Sequence, residues 1–104
     1  MWIFAQRSFL SIVEHAEEPN LLLVRARFQG DIESMFPEAE VSESANSDYR
    51  YRAALSPERV SEAIALRIRQ IDYPNFKASI DDFYRHGAYS RVWSVMREEQ
   101  ENRR

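Results

Sequence analysis

The chain holds two imidazoles, His15 and His86, and no cysteine at all. Histidine and cysteine are the side chains that most often bind zinc or act as base and nucleophile, so their scarcity limits the chemistry. No HExxH pair is present. Without thiols there is no disulfide frame and no thiolate metal site. Two glycines, Gly30 and Gly87, are too few to write a phosphate-cradling loop. His15 beside Glu14 could in principle act as a base, but a lone histidine is more often a hydrogen-bonded structural group. The expectation is a non-enzymatic protein with no cofactor and no metal.

A stronger signal comes from Arg25, Arg27, Arg50 and Arg52. They lie in two alternating runs, "LLLVRARF" and "DYRYRAAL". Leu22, Val24, Ala26 and Phe28 alternate with Leu21, Leu23, Arg25 and Arg27, while Tyr49, Tyr51, Ala53 and Leu55 alternate with Arg50, Arg52 and Ala54. Strand side chains share a face at every second residue, so two such strands in one sheet project all four guanidinium groups together. With Tyr or Phe nearby, that patch would hold RNA phosphates and stack bases. The alternative is plain solvation, because any one-sided antiparallel sheet shows charge to water. Leu21 and Leu23 share the arginine face and suit cover by the last helix or by a second subunit. Six acids stand in residues 31–48 with no intervening base. They would neutralise the patch or, as a mimic of a nucleic-acid backbone, let the chain inhibit a nucleic-acid-binding machine.

Two further places invite a partner. Arg67 falls inside an otherwise apolar helical stripe, where it must snorkel, pair with an acid or face an interface. The corner "IDYPNFK" sets Tyr73, Pro74, Asn75 and Phe76 together. Exposed, its aromatics would form a recognition hot spot. Packed, Tyr73 and Phe76 would plug the gap between two helices, which is the commoner fate of rings beside a helix end.

These residues need elements to position them. "MWIF" and "FLSIVEH" read as a hairpin or a broken strand, and "LLLVRARF" as a strand with one buried face. "DIESMFP" spaces Ile32, Met35 and Phe36 as about two turns of helix, stopped by Pro37. Residues 38–47 read as a mobile, acidic, solvated loop. "DYRYRAAL" gives another strand. Ser56, Pro57 and Glu58 then start a helix by capping, backbone fit and dipole complement. Its stripe is Val60, Ala63, Ile64, Ile68 and Ile71, and Pro74 should end it near Ile71 or Asp72. A last helix from about Ser79, interrupted near His86 and Gly87, carries Tyr89, Val92, Trp93 and Met96 at helical spacing. Residues 97–104 read as a frayed charged tail.

At 104 residues the chain suits one core, so a single α+β domain over residues 1–96 is expected. The fold expected is a small antiparallel sheet of three or four strands covered by helices, with an incomplete ferredoxin-like or split-βαβ arrangement as a candidate. Apolar residues make up 44% and charged residues 30%, which argues against general disorder. Charge is unevenly spread, with a net of −6 over residues 1–49 and +3 over 50–104. Cations are almost all arginine, a preference that GC-rich codon usage also produces. No signal peptide or membrane span is read, and a cysteine-free composition suits a reducing cytoplasm.

The segments "MWIF", "FLSIV", "LLVRAR", "DYRYRA", "IDYPNFK" and "VWSVM", in this order, resemble a small, widespread family of uncharacterised bacterial proteins. The resemblance runs from Met1 to Met96, with a serine at Ser8 where glycine is expected and Arg67 where an apolar residue is expected. It implies bacterial origin and a cytoplasmic location, and brings no site residue with it. The function expected from the sequence is a cytosolic protein acting through protein contacts or self-association as a homodimer. Nucleic-acid binding through the arginine face stands as the alternative.

Overall fold

A computed structural model describes residues 1–103 of the chain. The fold is α+β, with strands β1 (Trp2–Phe4), β2 (Phe9–Glu14), β3 (Leu22–Ala26), β4 (Ser42–Glu43) and β5 (Tyr51–Leu55). Its helices are α1 (Asp31–Met35), between β3 and β4, then α2 (Pro57–Arg69) and α3 (Phe83–Asn102). A 3-10 turn, Lys77–Ser79, precedes α3. Where length alone suggests one domain, the chain forms two compact units, Met1–Ile71 and a second from Asp72 onward.

In the first unit the sheet order is β1-β2-β3-β5-β4, and every pairing is antiparallel. The hairpin reading of the N-terminus holds, closed by the Ala5 N–H donating to the Ser8 carbonyl at 2.8 Å. Because β5 runs antiparallel to both β3 and β4, those two strands are parallel to each other and are joined through α1 with β5 between them, so the split-βαβ expectation holds for this one unit, added to a β1-β2-β3 meander. The fifth strand was not foreseen. Residues 38–47 read as a mobile loop, yet Ser42 and Glu43 pair with Arg52 and Tyr51 along β5. Backbone amides need partners whatever their side chains are, and the exposed edge of β5 supplies them.

One face of the sheet gives Leu10, Ile12, Val24, Ala26 and Ala53 to the core, met by Ile32, Met35 and Phe36 from the α1 region and by Val60 and Ala63 of α2. Removing each large side chain from water contributes roughly 1.5–3 kcal/mol. Gly30 makes the entry to α1 possible, because its φ of +91° is left-handed backbone that side-chain-bearing residues rarely adopt. Phe28, expected on the buried face, is exposed because β3 stops at Ala26 before this turn. At α2, the Ser56 Oγ accepts from the Arg59 N–H at 3.1 Å and Pro57 occupies the first turn, as the sequence predicts. The core contact of α2 ends at Ile64, however, and Ile68 and Ile71 are more than half exposed. Helical periodicity marks a face but not how far along it the packing reaches. The helix also ends at Arg69, slightly before the predicted point.

In the second unit the Phe76 ring stacks on Tyr89, with centroids 5.7 Å apart, and meets Tyr73 at 5.8 Å. The Asn75 Oδ1 accepts from the Ala78 N–H at 3.0 Å, and the Asp82 Oδ1 accepts from the Arg85 N–H at 2.7 Å to cap α3. The expected break near His86 and Gly87 is absent. A glycine inside a helix costs about 1 kcal/mol, which a capped 20-residue helix absorbs. The frayed tail is likewise replaced by helix through Asn102, where Arg103 reaches back to Glu99 at 2.7 Å.

Candidate functional site

The sheet face opposite the core carries the polar chemistry. Register places Trp2 beside Ser11, Ser11 beside Arg25, Arg25 beside Arg52 and Arg52 beside Ser42, one row across all five strands. One end of that row is aromatic. Phe4 and Phe9 stack at 4.6 Å, and Trp2 meets Phe9 edge-on at 6.3 Å while remaining 66% exposed.

Three of the four predicted arginines converge on one residue, Tyr49. Guanidinium carbons of Arg25 and Arg27 stand 4.5 and 4.2 Å from the centre of its ring, and the Arg52 Nε donates to its carbonyl at 3.2 Å. Arg25 also donates to the Ser11 Oγ at 2.7 Å, and Arg27 to the Asp48 carbonyl at 2.8 Å. Every acceptor in this set is neutral. None of the three forms an ion pair among the described residues, so their charge is oriented without being cancelled. The Arg25 Nε is buried with no hydrogen-bond partner. Arg50 differs, since its Nε lies 2.8 Å from the Glu43 carboxylate and its charge is matched there.

Alternation places Tyr49 on the face of Tyr51, Ala53 and Leu55. Strand geometry begins only at Tyr51, and the Tyr49 N–H is turned onto its neighbour's Asp48 Oδ1 at 2.9 Å, with the Ser47 hydroxyl on the Tyr49 carbonyl at 2.7 Å. That turn breaks the alternation and carries the ring to the arginines, where it is buried. The Ser-Asp pair before Tyr49, a frequent turn composition, was the available signal. Trp2, Phe4, Phe9 and Ser11 were also missed as site residues, although alternation with Ile3, Leu10 and Ile12 placed them on the outer face.

The remaining candidates separate from this face. Arg67 is exposed and donates to the Ser34 carbonyl at 2.8 Å, neither snorkelling over the core nor pairing with an acid. In the corner, Tyr73 and Phe76 are half-buried and in ring contact with each other and, through Phe76, with Tyr89, while Pro74 and Asn75 are exposed. The His15 Nδ1 accepts N–H groups of Glu17 and Glu18 at 3.1 and 3.0 Å, which ties the ring into a turn. Among the six acids of residues 31–48, Asp31 is buried and Glu38 and Glu43 are ion-paired, so half of that acidic field is withdrawn.

Comparisons with family models, curated proteins and solved structures find no match to the chain. Among the described residues no cluster of His, Asp or Glu could hold a metal ion, and no helix is long and apolar enough to cross a membrane.

Proposed function

We propose that this chain is a non-enzymatic binding protein of the bacterial cytoplasm that holds single-stranded nucleic acid on the outer face of its sheet. One observation carries the reading: Arg25, Arg27 and Arg52 are gathered around Tyr49 by neutral partners, with no carboxylate to satisfy them. Guanidinium groups so held are ready for phosphate oxygens, which they grip as a fork. The exposed Trp2, set edge-on to Phe9, offers a ring face on which bases stack, and stacking without base-edge hydrogen bonds tolerates any sequence. The bacterial and cytoplasmic parts of the proposal rest on the motif resemblance and the cysteine-free composition.

Fluorescence anisotropy with a labelled single-stranded oligonucleotide, RNA or DNA, tests it. Three phosphate contacts give a slope of log affinity against log salt of about −2. The variant Arg25→Gln/Arg27→Gln/Arg52→Gln should lose at least about tenfold in affinity and flatten that slope. Undiminished binding by a folded triple variant sinks the proposal.

A second reading has its own observation. Helix α3 buries only Tyr89, and leaves Phe83, Tyr84, Val92, Trp93, Val95 and Met96 exposed. Its cations Arg85, Arg91 and Arg97 precede its acids Glu98, Glu99 and Glu101. An antiparallel second copy would bring Arg85 of one helix to the acids of residues 98–101 of the other, which favours self-association through this helix. Sedimentation over a range of concentration tests that part.

A further inference from the structure

A cleft of about 180 Å³ opens in the first unit where the turn between β1 and β2 meets α1 and α2. Its walls include Gln6, Arg7 and Ser8 from the turn, Ser34 and Met35 from α1, and Arg67 from α2. Two arginines separated by 60 positions in the chain thus line one concave site, and no acid is among the lining residues. We infer that this cleft binds a phosphomonoester.

The argument is one of charge and shape. Arg67 is fixed by neutral acceptors, the Ser34 carbonyl at 2.8 Å and the Gln70 Oε1 at 3.3 Å, so its direction is set while its charge is not cancelled. Arg7 makes no ion pair among the described residues. Two such cations favour a dianion over a single carboxylate, and a phosphomonoester carries close to two negative charges at neutral pH. The cleft is smaller than the roughly 300 Å³ of a site for a drug-sized molecule, and suits an oxyanion headgroup with the rest of its ligand outside. The site stands apart from the sheet face, since neither arginine belongs to the set around Tyr49. It adjoins that face through the chain itself, because Ser8 lines the cleft and the next residue, Phe9, lies on the aromatic row.

The test is titration of the full chain with inorganic phosphate at constant ionic strength, chloride being the reference, followed by amide chemical shifts. Saturable shifts at Arg7, Ser8 and Ser34 are expected. Arg7→Gln, on an exposed turn, and Arg67→Gln should each weaken phosphate at least tenfold, while the sheet variant Arg25→Gln leaves it unchanged. A single-stranded oligonucleotide with and without a 5′-phosphate separates the sources. Tighter binding of the phosphorylated strand that depends on Arg7 makes the ligand a nucleic-acid end, and equal binding of both strands beside saturable phosphate makes it a small phosphate ester. Shifts no larger than those of chloride, or phosphate binding retained by a folded Arg7→Gln/Arg67→Gln variant, overturn the inference. So does equal loss in Arg25→Gln, an outcome that leaves the sheet-face proposal to stand or fall on its own salt dependence.

Discussion

Tyr49 holds more of the candidate site than any arginine does, since its ring faces two guanidinium groups and its carbonyl anchors a third. A cation over a partly desolvated ring is worth roughly 0.5–2 kcal/mol, and the attraction belongs to the ring rather than to the hydroxyl. Tyr49→Phe should therefore keep urea stability and oligonucleotide affinity close to the parent's. Tyr49→Leu should lose about 1–2 kcal/mol of stability and release Arg25 and Arg27 to many rotamers, lowering affinity. If the two variants behave alike, the ring does not organise the site. The arginines themselves were legible in the sequence because alternation is a strict two-residue rule. Tyr49 was not, because a turn of side-chain-to-backbone hydrogen bonds overrode that rule two residues before the strand began.

The strands and the start of α2 were legible for similar reasons: alternation gave β3 and β5, and serine followed by proline gave the helix cap. The strand β4 was hidden because pairing along the edge of β5 uses backbone groups that side-chain composition does not report. The segment leading to β4 is also tied to α2 by Glu38, whose carboxylate receives the Arg59 guanidinium at 2.7 and 3.0 Å. That contact holds the Glu38 carboxyl well below its ordinary 4.5, at about 2, mainly through the hydrogen bond from Arg59. Its folded value lies below its unfolded one, so the stabilisation is fully present above the unfolded value and is lost as pH falls through the folded one. Urea midpoints of the parent should thus drop between about pH 5 and pH 2 more than those of Glu38→Gln, and converge with them at the acid end. Added salt should shrink the difference, because the pair is exposed. Parallel pH curves for the two proteins would show that the contact has no hold on stability.

The division of the whole chain at Ile71 was not legible, because length and composition cannot place a boundary between compact units. Among the described residues the first unit has the larger share of buried apolar side chains, and the second has only Ile80 and Tyr89. Helix α3 therefore presents most of its apolar side chains to solvent, a condition that self-association relieves. Sedimentation coefficients should rise with protein concentration for the parent and stay at the monomer value for Val95→Glu/Met96→Glu. Salt should weaken association by screening the opposed helix ends. A strict monomer at high concentration removes the homodimer. The near absence of lysine has a practical side as well. Lys77 carries the chain's single side-chain amine, with its Nζ 4.0 Å from the centre of the Trp93 ring. With the α-amino group of Met1 blocked, an amine-reactive dye would attach to this one side chain, within quenching distance of an indole on α3. The protein thus arrives with a built-in optical reporter for whatever covers that helix, and needs no introduced cysteine to use it.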